Sequence, residues 1–215
     1  MNFIKRLLII KVAVVFLLLI STTTTSGQDQ HSILFFGDSI TAGYGLDEEQ
    51  AYPALIQEKI DSLGLEVRVI NAGLSGETTA GGVRRVEWIL QQEIDIFFLG
   101  LGGNDGLRGI DPANTKSNLQ QIIEKVKQKD ENIEIILAGM EAPPNLGDDY
   151  TTRFRNVFSE LADENNLIFM PFLLDDVAGE RELNQPDGIH PTAEGQQIIA
   201  DHIWEIIKPL LVDVP

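Results

Sequence analysis

The 215-residue chain contains no cysteine. That absence excludes disulfides, thiolate metal sites, a cysteine nucleophile and a lipid-modified cysteine anchor. Histidine is nearly as scarce. His31, His190 and His202 are the only three, too few for a histidine-rich metal cluster. Basic residues are also under-represented. Lys and Arg together number 16 against 33 Asp and Glu, a formal net charge of −17. A surface so acidic repels phosphate backbones and anionic lipid, so nucleic acid and charged membrane surfaces are poor partners. Long apolar runs are missing too. The best, Leu7 to Ile20, is broken by Lys11 and falls short of the roughly 20 residues that span a bilayer. No Gly-x-x-x-x-Gly-Lys-Ser/Thr or full Gly-x-Gly-x-x-Gly element is present to cradle a nucleotide.

The first 27 residues read as an export signal. Lys5, Arg6 and Lys11 form a basic start, Val12 to Ile20 an apolar stretch, and Ser21 to Gly27 a small, polar exit. Residues 1–27 are therefore expected to be removed on export, to a periplasmic or secreted location. An uncleaved N-terminal membrane anchor is the alternative. Residues 28–215 form one domain of ordinary composition, with 43% hydrophobic residues over the whole chain.

Within that domain, short apolar runs alternate with amphipathic segments. Strands are expected at Ile33–Phe36, Val67–Ile70, Ile94–Leu99, Ile133–Ala138 and Leu167–Phe169. Helices are expected from Pro53 to Gly64, Gly82 to Gln92, Asn114 or Thr115 to Lys129, Tyr150 to Asn165, and from Thr192 or Ala193 onward. Strands apolar on both faces, separated by helices, imply an α/β fold with a parallel sheet covered on both sides. In such a sheet, ligands bind beyond the carboxyl ends of the strands.

Four loops expected at that edge carry polar or glycine-rich sequence: Gly37-Asp38-Ser39, Gly73 to Thr79, Gly102-Gly103-Asn104-Asp105, and Asp187-Gly188-Ile189-His190. Each is weak alone. A serine after Gly-Asp is commonly a turn residue, Asn104 can simply cap a helix, and Asp187-x-x-His190 also reads as a cap or half a metal site. Together they supply a mechanism. Ser39 can attack an acyl carbonyl, His190 can accept its proton, and Asp187 can hold the imidazole. Asn104 offers a side-chain NH2 and Gly76 a backbone N–H to the oxyanion. Leu107, Ile110, Pro143, Pro144, Leu146 and Tyr150 make a fairly apolar rim suited to an acyl chain, and Arg108 is a candidate for a head-group anion.

In this order the four blocks resemble those of the SGNH (GDSL) hydrolases, most of all an exported bacterial branch of acyl-thioesterases, lysophospholipases and arylesterases. The resemblance runs from Gly37 to His190 and departs at Ile40, where Leu is commoner, and at Glu77, where Asp is usual. It implies a flavodoxin-like three-layer α/β/α sandwich with a five-stranded parallel sheet. It also implies Ser39 as nucleophile, a Ser39-His190-Asp187 triad, and an oxyanion hole of Ser39 N–H, Gly76 N–H and Asn104. A small-molecule or lipid acyl ester is the expected substrate. No cofactor, metal, nucleic acid or stable membrane partner is expected, and a monomer is. A carbohydrate acetyl-esterase on the same fold and a catalytically silent binding module are the competing readings.

Overall fold

The computed structural model describes residues 31–212. The expected export signal over residues 1–27 lies outside the described residues. Among them, no helix is long and apolar enough to cross a membrane.

Five parallel strands form one sheet: β1 (His31–Gly37), β2 (Val67–Gly73), β3 (Ile96–Gly100), β4 (Glu134–Ala138) and β5 (Ile168–Met170), in the order β2-β1-β3-β4-β5. The helices are α1 (Ser39–Ala42), α2 (Tyr52–Ser62), α3 (Thr79–Ile89), α4 (Gly103–Leu107), α5 (Pro112–Lys129), α6 (Asp148–Asn165) and α7 (Ala193–Val212). α2 packs beside α7, while α3, α5 and α6 pack in a row.

Ile33 to Phe36 and Phe97 to Leu99 are wholly buried because helices cover both faces of the central strands. Successive side chains point to opposite faces. Phe35 meets Tyr52 of α2, with ring centroids 5.3 Å apart, while Phe36 lies against Arg85 and Gly82 of α3. The α5 stripe of Leu119, Ile122, Ile123 and Val126 is buried, as is the α6 stripe of Phe154, Val157, Phe158 and Leu161.

Several boundaries differ from the sequence reading. α3 begins at Thr79, because Thr78 caps it by accepting the Gly81 N–H. α5 begins at Pro112 rather than near Asn114. Asp111 accepts the Ala113 N–H, and proline suits the first turn, where its missing N–H costs nothing. The segments read as loops after β1 and β3 each contain a short helix, α1 and α4. Both are too short to show an apolar period.

The site edge is shaped by glycine. Gly37, Gly73 and Gly100 lie side by side at the carboxyl ends of β1, β2 and β3. A Cβ at Gly37 would overlap the Thr41 side chain, and one at Gly73 would overlap the Ala42 backbone. Without those atoms, α1 sits directly on the strand ends. β1 and β3 flank the point where the strand order reverses, so their loops diverge and leave a crevice between them.

Candidate active site

Ser39 is the first residue of α1 and is 8% exposed. Asp38 caps the helix, its Oδ1 accepting the Ile40 N–H at 3.0 Å. Gly43 ends it in the left-handed conformation, at φ +71°. The four-residue helix is further clamped from both sides. Thr41 Oγ1 lies 2.7 Å from the Tyr52 hydroxyl. Gln196 of α7 donates to Ile40 O and accepts the Tyr52 N–H, each at 2.9 Å, and is itself buried. Nothing in the local sequence marks Gln196, since its partners lie 144 and 156 residues away.

His190 arrives on a tight loop before α7. Gln185 N–H donates to His190 O at 2.7 Å, and Thr192 N–H to Leu183 O at 2.8 Å. The Gln185 side chain reaches across to Tyr44 O and Pro191 O, fixing this loop to the turn after α1. The result is a continuous line of contacts. His190 Nε2 is 2.9 Å from Ser39 Oγ, and His190 Nδ1 is 2.7 Å from Asp187 Oδ2. The Tyr44 ring lies beside the imidazole, with centroids 4.5 Å apart.

Asp187 also accepts the backbone N–H groups of Ile189 and His190 through Oδ1, at 2.9 and 3.0 Å. The His190 backbone N–H, the His190 ring and the Ile189 N–H hold its carboxyl down, to about 2. It is therefore ionised wherever the fold is near neutral pH, as a partner for an imidazolium must be. The stability it adds is complete above the unfolded aspartate value and fades as pH falls toward 2.

Asn104 lies on α4, across the crevice from Ser39. Its Nδ2 donates one hydrogen to Asp38 Oδ2 at 3.3 Å. That contact orients the amide, and the second hydrogen of the NH2 group is left for another acceptor. Gly76, at φ +80°, lies on the loop after β2, where a Cβ would meet only the Arg108 guanidinium, 4.0 Å away. Arg108 Nη2 donates to Gly76 O at 3.1 Å, which holds its guanidinium beside the Gly76 loop. Buried Glu77 and half-buried Arg85 form an ion pair, and Arg85 also donates to Ala72 O. The longer acid at Glu77 thus ties the Gly76 loop to α3.

The expected rim residues separate into two groups. Leu107 and Leu146 are exposed, at 45% and 37%. Leu146 Cδ2 faces Gly109 in the loop that carries Arg108 and Ile110. Tyr150 is half-buried and supports that loop from beneath, its hydroxyl donating to Ile110 O at 2.7 Å. Pro143 precedes the 3₁₀ turn Pro144–Leu146 and is half-buried. Of the other histidines, His31 pairs with Asp95 and His202 with Asp176, neither at this site. No group of three or more metal-ligating acidic or histidine side chains occurs among the described residues.

Asp38 differs from Asp187 in its electrostatics. Burial pushes its carboxyl up to about 6, against the lowering pull of the Ile40 N–H and the Asn104 amide. An unfolded aspartate titrates near about 3.9. Between these values the folded chain retains a proton that the unfolded chain has lost. Stability contributed here therefore falls as pH rises through that window. Asp38→Asn is expected to lose this slope. Relative to the variant, wild type should lose about 2–3 kcal/mol of unfolding free energy between pH 4 and pH 7. Denaturant titrations at both pH values measure the difference, and parallel pH profiles would show that Asp38 does not titrate in this range.

The sequence profile of the GDSL-like lipase/acylhydrolase family matches residues 35–198, a span that contains all four site segments. The chain belongs to this family. This GDSL hydrolase is 38% identical over 181 residues to "Esterase TesA" of Pseudomonas aeruginosa, covering 84% of this chain and 89% of the relative. It is 36% identical over 181 residues to "Thioesterase 1/protease 1/lysophospholipase L1" of Escherichia coli K12, covering 84% and 85%. The solved structure of TesA superposes with a TM-score of 0.80 at 37% identity, covering 84% of this chain and all of that one. The fold is thus that of the SGNH hydrolases, and the GDSL hydrolase described here is a carboxylic ester hydrolase of that type.

Proposed function

We propose that this hydrolase cleaves acyl esters or thioesters, of the lysophospholipase, acyl-thioesterase or arylesterase kind, through a Ser39-His190-Asp187 triad. The observation that carries the reading is the unbroken line from Asp187 Oδ2 through both ring nitrogens of His190 to Ser39 Oγ, at 2.7 and 2.9 Å. With Nδ1–H donated to Asp187, Nε2 is left as an acceptor for the serine proton. Ser39 Oγ then attacks the acyl carbonyl carbon. The oxyanion that forms is met by the free Asn104 Nδ2–H, with Gly76 N–H and Ser39 N–H completing the hole. Collapse of the adduct expels the alcohol or thiol, which takes the proton from His190 Nε2. Water then attacks the carbonyl carbon of the acyl-Ser39 ester while passing a proton to the same nitrogen, and the second adduct collapses to release the acid as Ser39 Oγ takes that proton back.

The names of the relatives support acyl esters and thioesters as substrates. The exposed Leu107 and Leu146 favour an acyl chain lying along the rim. The test is a series of p-nitrophenyl esters from two to sixteen carbons, with Ser39→Ala protein as the blank. Serine-dependent rates should peak at medium or long chains. Activity confined to the acetyl ester would transfer the assignment to a carbohydrate deacetylase. No serine-dependent activity at any length would remove the esterase mechanism.

A further inference from the structure

The two outer donors of the oxyanion hole sit on different segments. Gly76 belongs to the loop between β2 and α3, and Asn104 to α4. Neither donor is bonded to the other, so their spacing must be set by whatever joins those segments. Arg108, just after α4, links them at the surface by its bond to Gly76 O, and the residue beside Asn104 joins them from within. Asp105 is fully buried. Its Oδ2 accepts the Thr79 N–H at 2.9 Å, its Oδ1 accepts the Thr79 hydroxyl at 2.5 Å, and the Thr115 hydroxyl lies 3.4 Å from Oδ1. Thr79 is the first residue of α3, three positions after Gly76. Asn118 Nδ2 donates to the same Thr79 hydroxyl at 3.1 Å. Thr79 and Thr115 are also fully buried. The mechanism above uses none of these groups.

We propose that Asp105 is a positioning residue of the oxyanion hole. Its carboxylate staples the start of α3 to α4, and so holds Gly76 N–H and Asn104 Nδ2 at the separation a tetrahedral oxyanion requires. The inference rests on the oxyanion assignment made under the proposed function. It differs from a general stabilising role in where the loss should fall. The oxyanion exists only after attack, so a misplaced donor lowers turnover and leaves ground-state binding alone. A displacement of 1 Å can cost about 100-fold.

The test is a double-mutant cycle on p-nitrophenyl butyrate, run well below the melting temperature, with Asp105→Asn, Asn104→Ala and the pair. Asp105→Asn should lower kcat about 10- to 100-fold, with KM within about twofold of wild type. In the Asn104→Ala background the same change should cost several-fold less than in wild type, because one of the two donors it positions is gone. Thr79→Ser, which keeps both bonds to the carboxylate, should remain within about twofold of wild type, whereas Thr79→Val should follow Asp105→Asn. Should Asp105→Asn fail to fold, Thr79→Val takes its place in the cycle. Losses that multiply fully in the pair would overturn the positioning role and leave the oxyanion assignment standing. An unchanged kcat in Asn104→Ala alone would overturn both.

Discussion

Replacing His190 with alanine is expected to lower kcat for ester hydrolysis by about 10⁴- to 10⁶-fold while leaving the fold intact. His190 Nε2 is the hydrogen-bond partner of Ser39 Oγ, at 2.9 Å. Without it the hydroxyl must lose its proton to water, against a large difference in acidity. The side chain adds little to the core. It is partly exposed, and the loop around it is held by backbone bonds from Gln185 and Thr192 and by the Gln185 side chain. Melting temperature should therefore change little. Under the proposed triad serine and histidine act as one unit, so adding Ser39→Ala to His190→Ala should cost almost nothing further. Steady-state rates for the two single variants and the double variant check this. A single variant within about tenfold of wild type would remove His190 from the reaction.

Asn104→Ala is expected to lower kcat about 10²- to 10³-fold, with KM changed far less. One Nδ2 hydrogen is engaged by Asp38 Oδ2 at 3.3 Å, which keeps the amide turned toward the site. Under the proposed mechanism the other is offered to the oxyanion. Alanine removes both. The second effect is structural: Asp38 loses one of the donors that pull its carboxyl down against burial. Its titration should move up, and the pH window over which stability falls should move with it. Full kinetic curves at several substrate concentrations separate the turnover loss from any binding loss. An equal rise in KM with unchanged kcat would place Asn104 in substrate binding instead.

Much of this arrangement was legible in the chain. The apolar runs of β1 and β3 and the amphipathic stripes of α5 and α6 announce themselves through burial periodicity, which local sequence carries directly. Three of the four polar segments were legible because each directly follows a strand, and the parallel sheet brings such segments to one edge; the fourth, Asp187 to His190, comes well after β5 and just before α7. Helix starts were less so. Asp111 capping Pro112–Lys129 and Thr78 capping Thr79–Ile89 each compete with other polar residues nearby, and only the backbone geometry selects the cap that forms. α1 and α4 left no period to read.

Arg108 shows the same limit within the site. As a lone arginine on a glycine-rich loop it suggests an anion partner, and the bond its guanidinium makes to Gly76 O leaves no trace in the spacing. Glu77, Tyr44, Gln185 and Gln196 carry no chemical signature in the sequence, though each ties one site segment to another.

The sequence alone determined which chemistry is available. It supplies a serine hydroxyl after the first strand, one imidazole before the last helix, a carboxylate three residues before it, and an amide after a third strand, with no thiol in competition. Those are properties of residue type and short spacing. Only the tertiary structure decided that Ser39 and His190, 151 residues apart, meet at 2.9 Å, and that Asp105 and Thr79 join α4 to the start of α3. Such contacts depend on strand order, on the close seating of α1 over Gly37 and Gly73, and on buried hydrogen bonds between distant segments. They are set by packing across the whole sheet rather than by any residue's neighbours in the chain.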